Sequence, residues 1–224
     1  MDENKKSIQG AINLSPSHNN FEVEDYFISE CNEAAYEAAH SSTLGFAPFP
    51  TILIIKGSNS SGKSFLSYVA SKNRDGIIIK LADELIEKTS KLYIIDDAEK
   101  WQEEDVFHAI NISFETGKDL IIFAGIDWVV KLPDLNSRIQ SIKTEKILEP
   151  DDQLIEIIIA SEFSKRSLDV SKDVITYLKT RLPRNFSEII KTIDSIDKFC
   201  LENKRNVTVK AIQSHSEAAR STVS

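Results

Sequence analysis

Cysteine is scarce: the 224 residues hold two, Cys31 and Cys200, far apart and in no metal-ligand spacing. That usage points to a cytosolic protein with inert thiols. The four histidines, His18, His40, His108 and His215, are equally scattered, which argues against a metal site of their own. No apolar run approaches a membrane span, and the opening MDENKKSIQG lacks a signal-peptide core, so a soluble cytoplasmic protein is expected. Basic residues are outnumbered, 27 Lys and Arg against 35 Asp and Glu, for a formal net charge of -8. This disfavours a large sequence-independent hold on nucleic acid, though a local basic patch is compatible with it.

What is present is an alternation of apolar runs with amphipathic segments. Residues 1–20 are polar and read as a flexible tail, as do residues 213–224. Asn32–His40 is Ala-rich and helical. Strands are expected at Thr51–Lys56 (TILIIK, apolar throughout as in a strand buried on both faces), Gly76–Leu81, Leu92–Asp96, Asp119–Gly125 and Thr144–Leu148. Helices are expected between them at Lys63–Lys72, Ala82–Lys88 and Trp101–Thr116. Such alternation predicts an α/β base over residues 21–150, a central parallel sheet flanked by helices. After Pro150 only helical periodicity remains, at Gln153–Phe163, Lys172–Arg181 and Phe186–Leu201. Asp151, Asp152 and Ser171 stand at N-cap positions, and Pro183 separates two helices. Residues 151–212 therefore read as a small all-helical lid.

The strongest chemical signal is Gly57-Ser58-Asn59-Ser60-Ser61-Gly62-Lys63-Ser64, which satisfies G-x-x-x-x-G-K-[ST] between a strand and a helix that opens through Phe65. Glycines at its ends let backbone N–H groups curl around phosphate oxygens. Lys63 would reach the β/γ phosphates, and the Ser64 hydroxyl would ligate Mg²⁺. The following helix turns its positive end toward the anion. ADP or ATP with Mg²⁺ is the implied ligand. Some thirty residues on, Asp96 and Asp97 follow an apolar strand. Asp96 would assist Mg²⁺ and Asp97 would activate water; the plain alternative is that both open a turn. Trp101 and Trp128 read as packing aromatics, and Glu99–Asp105 as a solvated helix start.

Several segments resemble the DnaA-like AAA+ family. Asp25-Tyr26-Phe27-Ile28-Ser29 and Asn32-Glu33-Ala34-Ala35 resemble the opening of the nucleotide domain of the bacterial replication initiator DnaA, and Asp96-Asp97 is similar to its acidic motif. Leu132-Pro133-Asp134-Leu135-Asn136-Ser137-Arg138 resembles the arginine-finger segment of the shorter relatives, the Hda class. Arg184-Asn185-Phe186-Ser187-Glu188-Ile189 resembles the sensor-2 helix. With no room after residue 212 for a DNA-reading helix-turn-helix, the chain is expected to be of the Hda class.

That resemblance implies a nucleotide-bound negative regulator of replication initiation. Its partners would be DnaA and the sliding clamp, the β subunit of DNA polymerase III, with no sequence-specific DNA binding of its own and self-association left open. Arg138, expected on a short helix after the fourth strand, would act in trans on ATP held by DnaA; the alternative is a surface arginine in an intrachain ion pair. Gln9, Ile12 and Leu14 keep part of the family's clamp-binding peptide, with Gly10 in place of a leucine; a plain tail is the alternative reading.

Two departures bear on turnover. Ser187 stands where sensor 2 carries arginine, with Arg184 one helical turn earlier, free to substitute at the phosphates, to cap the helix or to meet solvent. Ala124-Gly125-Ile126-Asp127 lacks a polar residue at the strand tip of sensor 1. Both imply nucleotide binding with slow ATP hydrolysis at most. A small-molecule kinase and a DNA-directed loader ATPase are the competing classes; the LPDLNSR segment and helical lid argue against the first, the acidic balance against the second.

Overall fold

The computed structural model describes residues 23, 26–41 and 50–221. They divide into two units: Ile28–Glu149, and a helical unit from Pro150 onward with which the described residues up to Phe27 group.

The first unit opens with α1 (Glu33–His40), whose Ala35 and Ala39 are fully buried. It continues through β1 (Ile52–Gly57), α2 (Lys63–Asn73), β2 (Ile77–Ile78), α3 (Glu84–Glu87), β3 (Leu92–Ile95), α4 (Glu103–Thr116), β4 (Asp119–Gly125), α5 (Pro133–Ser141) and β5 (Lys143–Ile147). The strands form one sheet in the order β2-β3-β4-β1-β5, and every pairing is parallel. Parallel strands need crossovers that cover both faces, which is why β1, β3 and β4 are apolar at nearly every position. Ile54, Tyr93, Ile95, Leu120 and Ile122 pack with Val106, Ala109 and Ile110 of α4 and Leu135 of α5. Alternate residues, Leu53, Ile55, Ile94, Ile121 and Phe123, point to the other face and are as deeply buried. Each such side chain contributes about 1.5–3 kcal/mol through burial.

The register sets β1 beside β4, with Ile54 opposite Ile122 and Gly57 opposite Gly125, so both strands end together. At the other end Asp119, 2% exposed, accepts the Thr51 amide at 2.8 Å and meets Arg74 at 3.4 Å. This carboxylate ties the entries of β1 and β4 to the end of α2.

The second unit packs α6 (Asp152–Lys165), α7 (Lys172–Lys179), α8 (Phe186–Glu202) and α9 (Val209–Ser221). Asp151 caps α6 by accepting the Leu154 amide at 2.8 Å, and Asn185 caps α8 by accepting that of Glu188 at 3.1 Å. Ser171 holds the N-cap position of α7 without a side-chain hydrogen bond to it. Ile155, Ile158, Ile159, Phe163, Ile189, Ile193 and Ile196 form the interior. Buried Glu162 meets Lys165 at 2.6 Å and Arg166 at 2.9 Å, and Arg166 reaches Asp194 on α8.

Two expectations about elements are corrected. The strand expected over Gly76–Leu81 pairs only at Ile77–Ile78, because Glu84 Oε1 takes the amides of Lys80 (2.7 Å) and Leu81 (3.0 Å) and turns the chain into α3. The expected C-terminal tail begins as a helix. Thr208 Oγ1 accepts the Ala211 amide at 3.2 Å, Val207, Ala211 and Ile212 are buried, and His215 Nε2 lies 2.8 Å from Ser195 Oγ of α8.

Candidate functional site

The phosphate-loop residues occupy the turn between β1 and α2. Gly62 precedes the helix at φ 91°, a left-handed conformation that favours glycine, and Ser60 also has positive φ, at 57°. Gly57 has no room for a side chain: a Cβ there would lie 2.4 Å from Ser61 Oγ and 3.3 Å from Ile147 Cβ. Lys63 is 6% exposed and its Nζ donates to the carbonyls of Gly57 (3.0 Å) and Ser58 (2.9 Å). The loop thus curls around its own lysine, and the buried Ser61 Oγ has no hydrogen-bond partner among the described residues. Asn59 and Ser64 are exposed, while Phe65 of α2 is buried.

Asp96 follows β3, the strand that flanks β4, and hydrogen-bonds with the Ser64 hydroxyl. Burial raises its carboxyl above the ordinary aspartate range, against the lowering effects of Ser64 and Lys63, with the Asp97 charge adding to the rise. Its Oδ1 is buried with no hydrogen-bond partner among the described residues. Asp97 takes a left-handed conformation (φ 54°, ψ 54°) and its carboxylate binds Lys100 Nζ at 2.6 Å. These features fit a nucleotide with its cation: a turn with no room for a side chain at Gly57, a lysine that donates to two backbone carbonyls, and two buried oxygens without partners among the described residues. Gly57–Phe65 and Asp96 are therefore brought together, with Asp97 next along the chain and its carboxylate on Lys100.

Arg138 lies elsewhere on the same unit. It is exposed on α5, pairs with no carboxylate among the described residues, and places its guanidinium over the Phe114 ring, 5.6 Å from the centroid. Arg184 belongs to the helical unit, where it donates to the Pro150 carbonyl at 2.8 Å and to the Asp152 carboxylate. Capping of α8 falls to Asn185 rather than Arg184. Gln9, Ile12 and Leu14 lie outside the described residues.

Three contributors were not legible as such. Glu99 Oε2 accepts the Gly125 amide at 3.0 Å, setting a carboxylate at the β4 tip where sensor 1 was sought. Glu103 accepts the amides of Lys131 (3.0 Å) and Leu132 (2.6 Å), and these bonds hold its carboxyl below the ordinary glutamate range. Phe114 underlies Arg138. Within the Glu99–Asp105 run nothing marks two of the carboxylates as ligands of backbone 26 to 29 residues away. Trp101 and Trp128 pack partly buried against the core, and Lys56 Nζ donates to the Trp128 carbonyl at 3.3 Å.

Among the described residues no helix is long and apolar enough to cross a membrane. Residues 151–214 match the family described as Hda, lid domain. An uncharacterized protein of Haemophilus influenzae is 29% identical over 114 residues, 49% of this chain and 48% of that one, so the match spans about half the length of this curated relative. Domain III of Thermotoga maritima DnaA superposes with a TM-score of 0.67 at 16% identity, over 91% of this chain and 98% of its own. AMPPCP-bound DnaA from Aquifex aeolicus gives 0.60 at 23% identity, over 78% and 64%. The Thermotoga maritima RuvB Holliday junction branch migration motor gives 0.67 at 11% identity, over 87% and 70%. The chain has the fold of DnaA domain III and of other AAA+ proteins, and its residues 151–214 match the Hda lid.

Proposed function

We propose that this protein binds ADP or ATP with Mg²⁺ and regulates replication initiation in the cytoplasm, by assembling with DnaA and the sliding clamp and promoting hydrolysis of DnaA-bound ATP. The observation that carries the reading is Arg138: an exposed guanidinium without a carboxylate partner among the described residues, on a helix of a base with the DnaA fold, followed by residues that match the Hda lid.

Gly57, Ser58, Asn59, Ser60, Ser61, Gly62, Lys63, Ser64 and Phe65 would hold the nucleotide, with Arg184 a candidate from the lid. Ser64 and Asp96 would hold the Mg²⁺ shell. The nucleotide and cation, when bound, would supply the phosphate charge that Lys63 and Ser64 meet; the AMPPCP carried by the Aquifex aeolicus DnaA supports an adenine nucleotide. Asp97 is the candidate for activating water, but its carboxylate is committed to Lys100, which supports slow turnover at most on this chain. Gln9, Ile12 and Leu14 are the candidate clamp contacts, and self-association is part of the reading.

In the assembled complex the substrate is ATP on DnaA. Water attacks the γ phosphorus, the bond to the ADP oxygen breaks, and Arg138 donates hydrogen bonds to oxygens on which charge grows. Guanidinium suits this task because it stays protonated and offers parallel donors. A finger supplied in trans accelerates hydrolysis by about 10³–10⁵ in well-studied nucleotidases. Single-turnover hydrolysis of ATP preloaded on the cognate DnaA, with this protein, ADP and DNA-loaded clamp, tests the role. Acceleration is expected; an unchanged rate with clamp binding confirmed would sink it.

A further inference from the structure

We propose that Phe114 is the positioning residue for Arg138, its ring holding the guanidinium so that α5 presents the cation in one place. This rests on the trans-acting role proposed for Arg138. Phe114 lies on α4 and is 44% exposed, while Val106, Ala109, Ile110 and Ser113 of the same helix face the core. The ring stands outside the core, and the Arg138 guanidinium lies 5.6 Å from its centroid. That is within the range where the ring's negative face attracts a cation.

The contact completes a series that fixes α5 on α4. At the start of α5, the Glu103 carboxylate takes the amides of Lys131 and Leu132. One turn on, Leu135 is fully buried among Val106, Ala109 and Ile110. Phe114 then meets the side chain near the helix end. Glu103 and Leu135 fix the backbone; neither reaches the guanidinium. A free arginine samples many rotamers, and each one withdrawn beforehand is a cost not met in the transition state. Phe114 touches no reacting atom, so its effect falls on the maximal rate and not on how tightly the proteins associate.

The test is single-turnover hydrolysis of ATP on the cognate DnaA across concentrations of this protein, with ADP and DNA-loaded clamp. Phe114→Leu is expected to lower the saturating rate roughly two- to fivefold, the size of an exposed cation–π contact, with an unchanged half-saturating concentration. Phe114→Tyr should restore the rate, and Phe114→Leu should add nothing to Arg138→Ala. Independently, the Arg138 Cδ protons should be ring-shifted upfield in the wild type and not in Phe114→Leu. A slow Arg138→Ala protein beside a wild-type Phe114→Leu protein overturns this inference alone. So does a change in half-saturation at constant maximal rate, which would make Phe114 a docking contact. An Arg138→Ala protein as fast as wild type overturns both the trans role and this inference.

Discussion

Glu99 Oε2 accepts the Gly125 amide at 3.0 Å, and Gly125 stands in register with Gly57 at the mouth of the phosphate loop. Gly57 O in turn accepts the Ile126 amide at 3.0 Å and Lys63 Nζ at 3.0 Å. One chain of hydrogen bonds thus runs from the acidic segment after β3 to the loop lysine. Removing its first member with Glu99→Ala should weaken ADP binding roughly two- to fivefold and lower stability by about 1 kcal/mol or less. Glu99→Gln, which keeps the acceptor, should stay near wild type. Calorimetric titration with ADP and thermal unfolding check both.

Gly57 has a steric role. An added Cβ would meet Ser61 Oγ at 2.4 Å and lie 3.3 Å from both Ser61 Cβ and Ile147 Cβ, so a turn of the serine hydroxyl alone does not clear it. Gly57→Ala is expected to cost about 1–3 kcal/mol and to reduce ADP affinity by roughly tenfold or more. Ser61→Ala removes the clashing oxygen, so the double variant should regain part of the stability. A double variant no more stable than Gly57→Ala would place the conflict at the two Cβ atoms 3.3 Å away, those of Ser61 and Ile147.

Asp119 joins the entries of two central strands from a site 2% exposed. Asp119→Ala would leave the Thr51 amide and the Arg74 guanidinium without this acceptor, at a cost of about 3 kcal/mol. Urea unfolding should show a lower midpoint with an unchanged slope.

His40 gives the base a pH dependence. Burial lowers its pKa and the nearby Arg74 charge adds to this, against the Tyr36 carbonyl, which its Nδ1 meets at 2.8 Å. A lowered value means the folded state resists protonation. The stabilisation is present above the unfolded histidine value and is lost as pH falls through the folded one. The stability advantage of wild type over His40→Gln should therefore shrink between pH 7.5 and pH 5. An advantage that grows on acidification would contradict the sign.

How much of this was legible follows from how far apart the interacting residues lie. The phosphate loop is local: eight consecutive residues between an apolar run and a helix. The buried strands announced themselves through runs such as TILIIK, and the α6 cap through Asp151. Strand β2 was over-extended because the amides of Lys80 and Leu81 go to Glu84, a choice that apolar patterning does not encode. Helix α9 was missed because few apolar residues, among them Ala211 and Ile212, anchor an otherwise polar helix. Glu99 with Gly125, and Phe114 with Arg138, are pairs 24 to 26 residues apart, made only once β4 and α5 are in place.

The most direct test of the central claim compares wild type, Arg138→Ala and Arg138→Lys in single-turnover hydrolysis of ATP held by the cognate DnaA, with ADP and DNA-loaded clamp. The expected result is acceleration by wild type and its loss in Arg138→Ala, by at least tenfold on the scale of a trans finger. Arg138→Lys, with the charge but not the parallel donors, should recover only part. Equal acceleration by all three proteins would contradict the account.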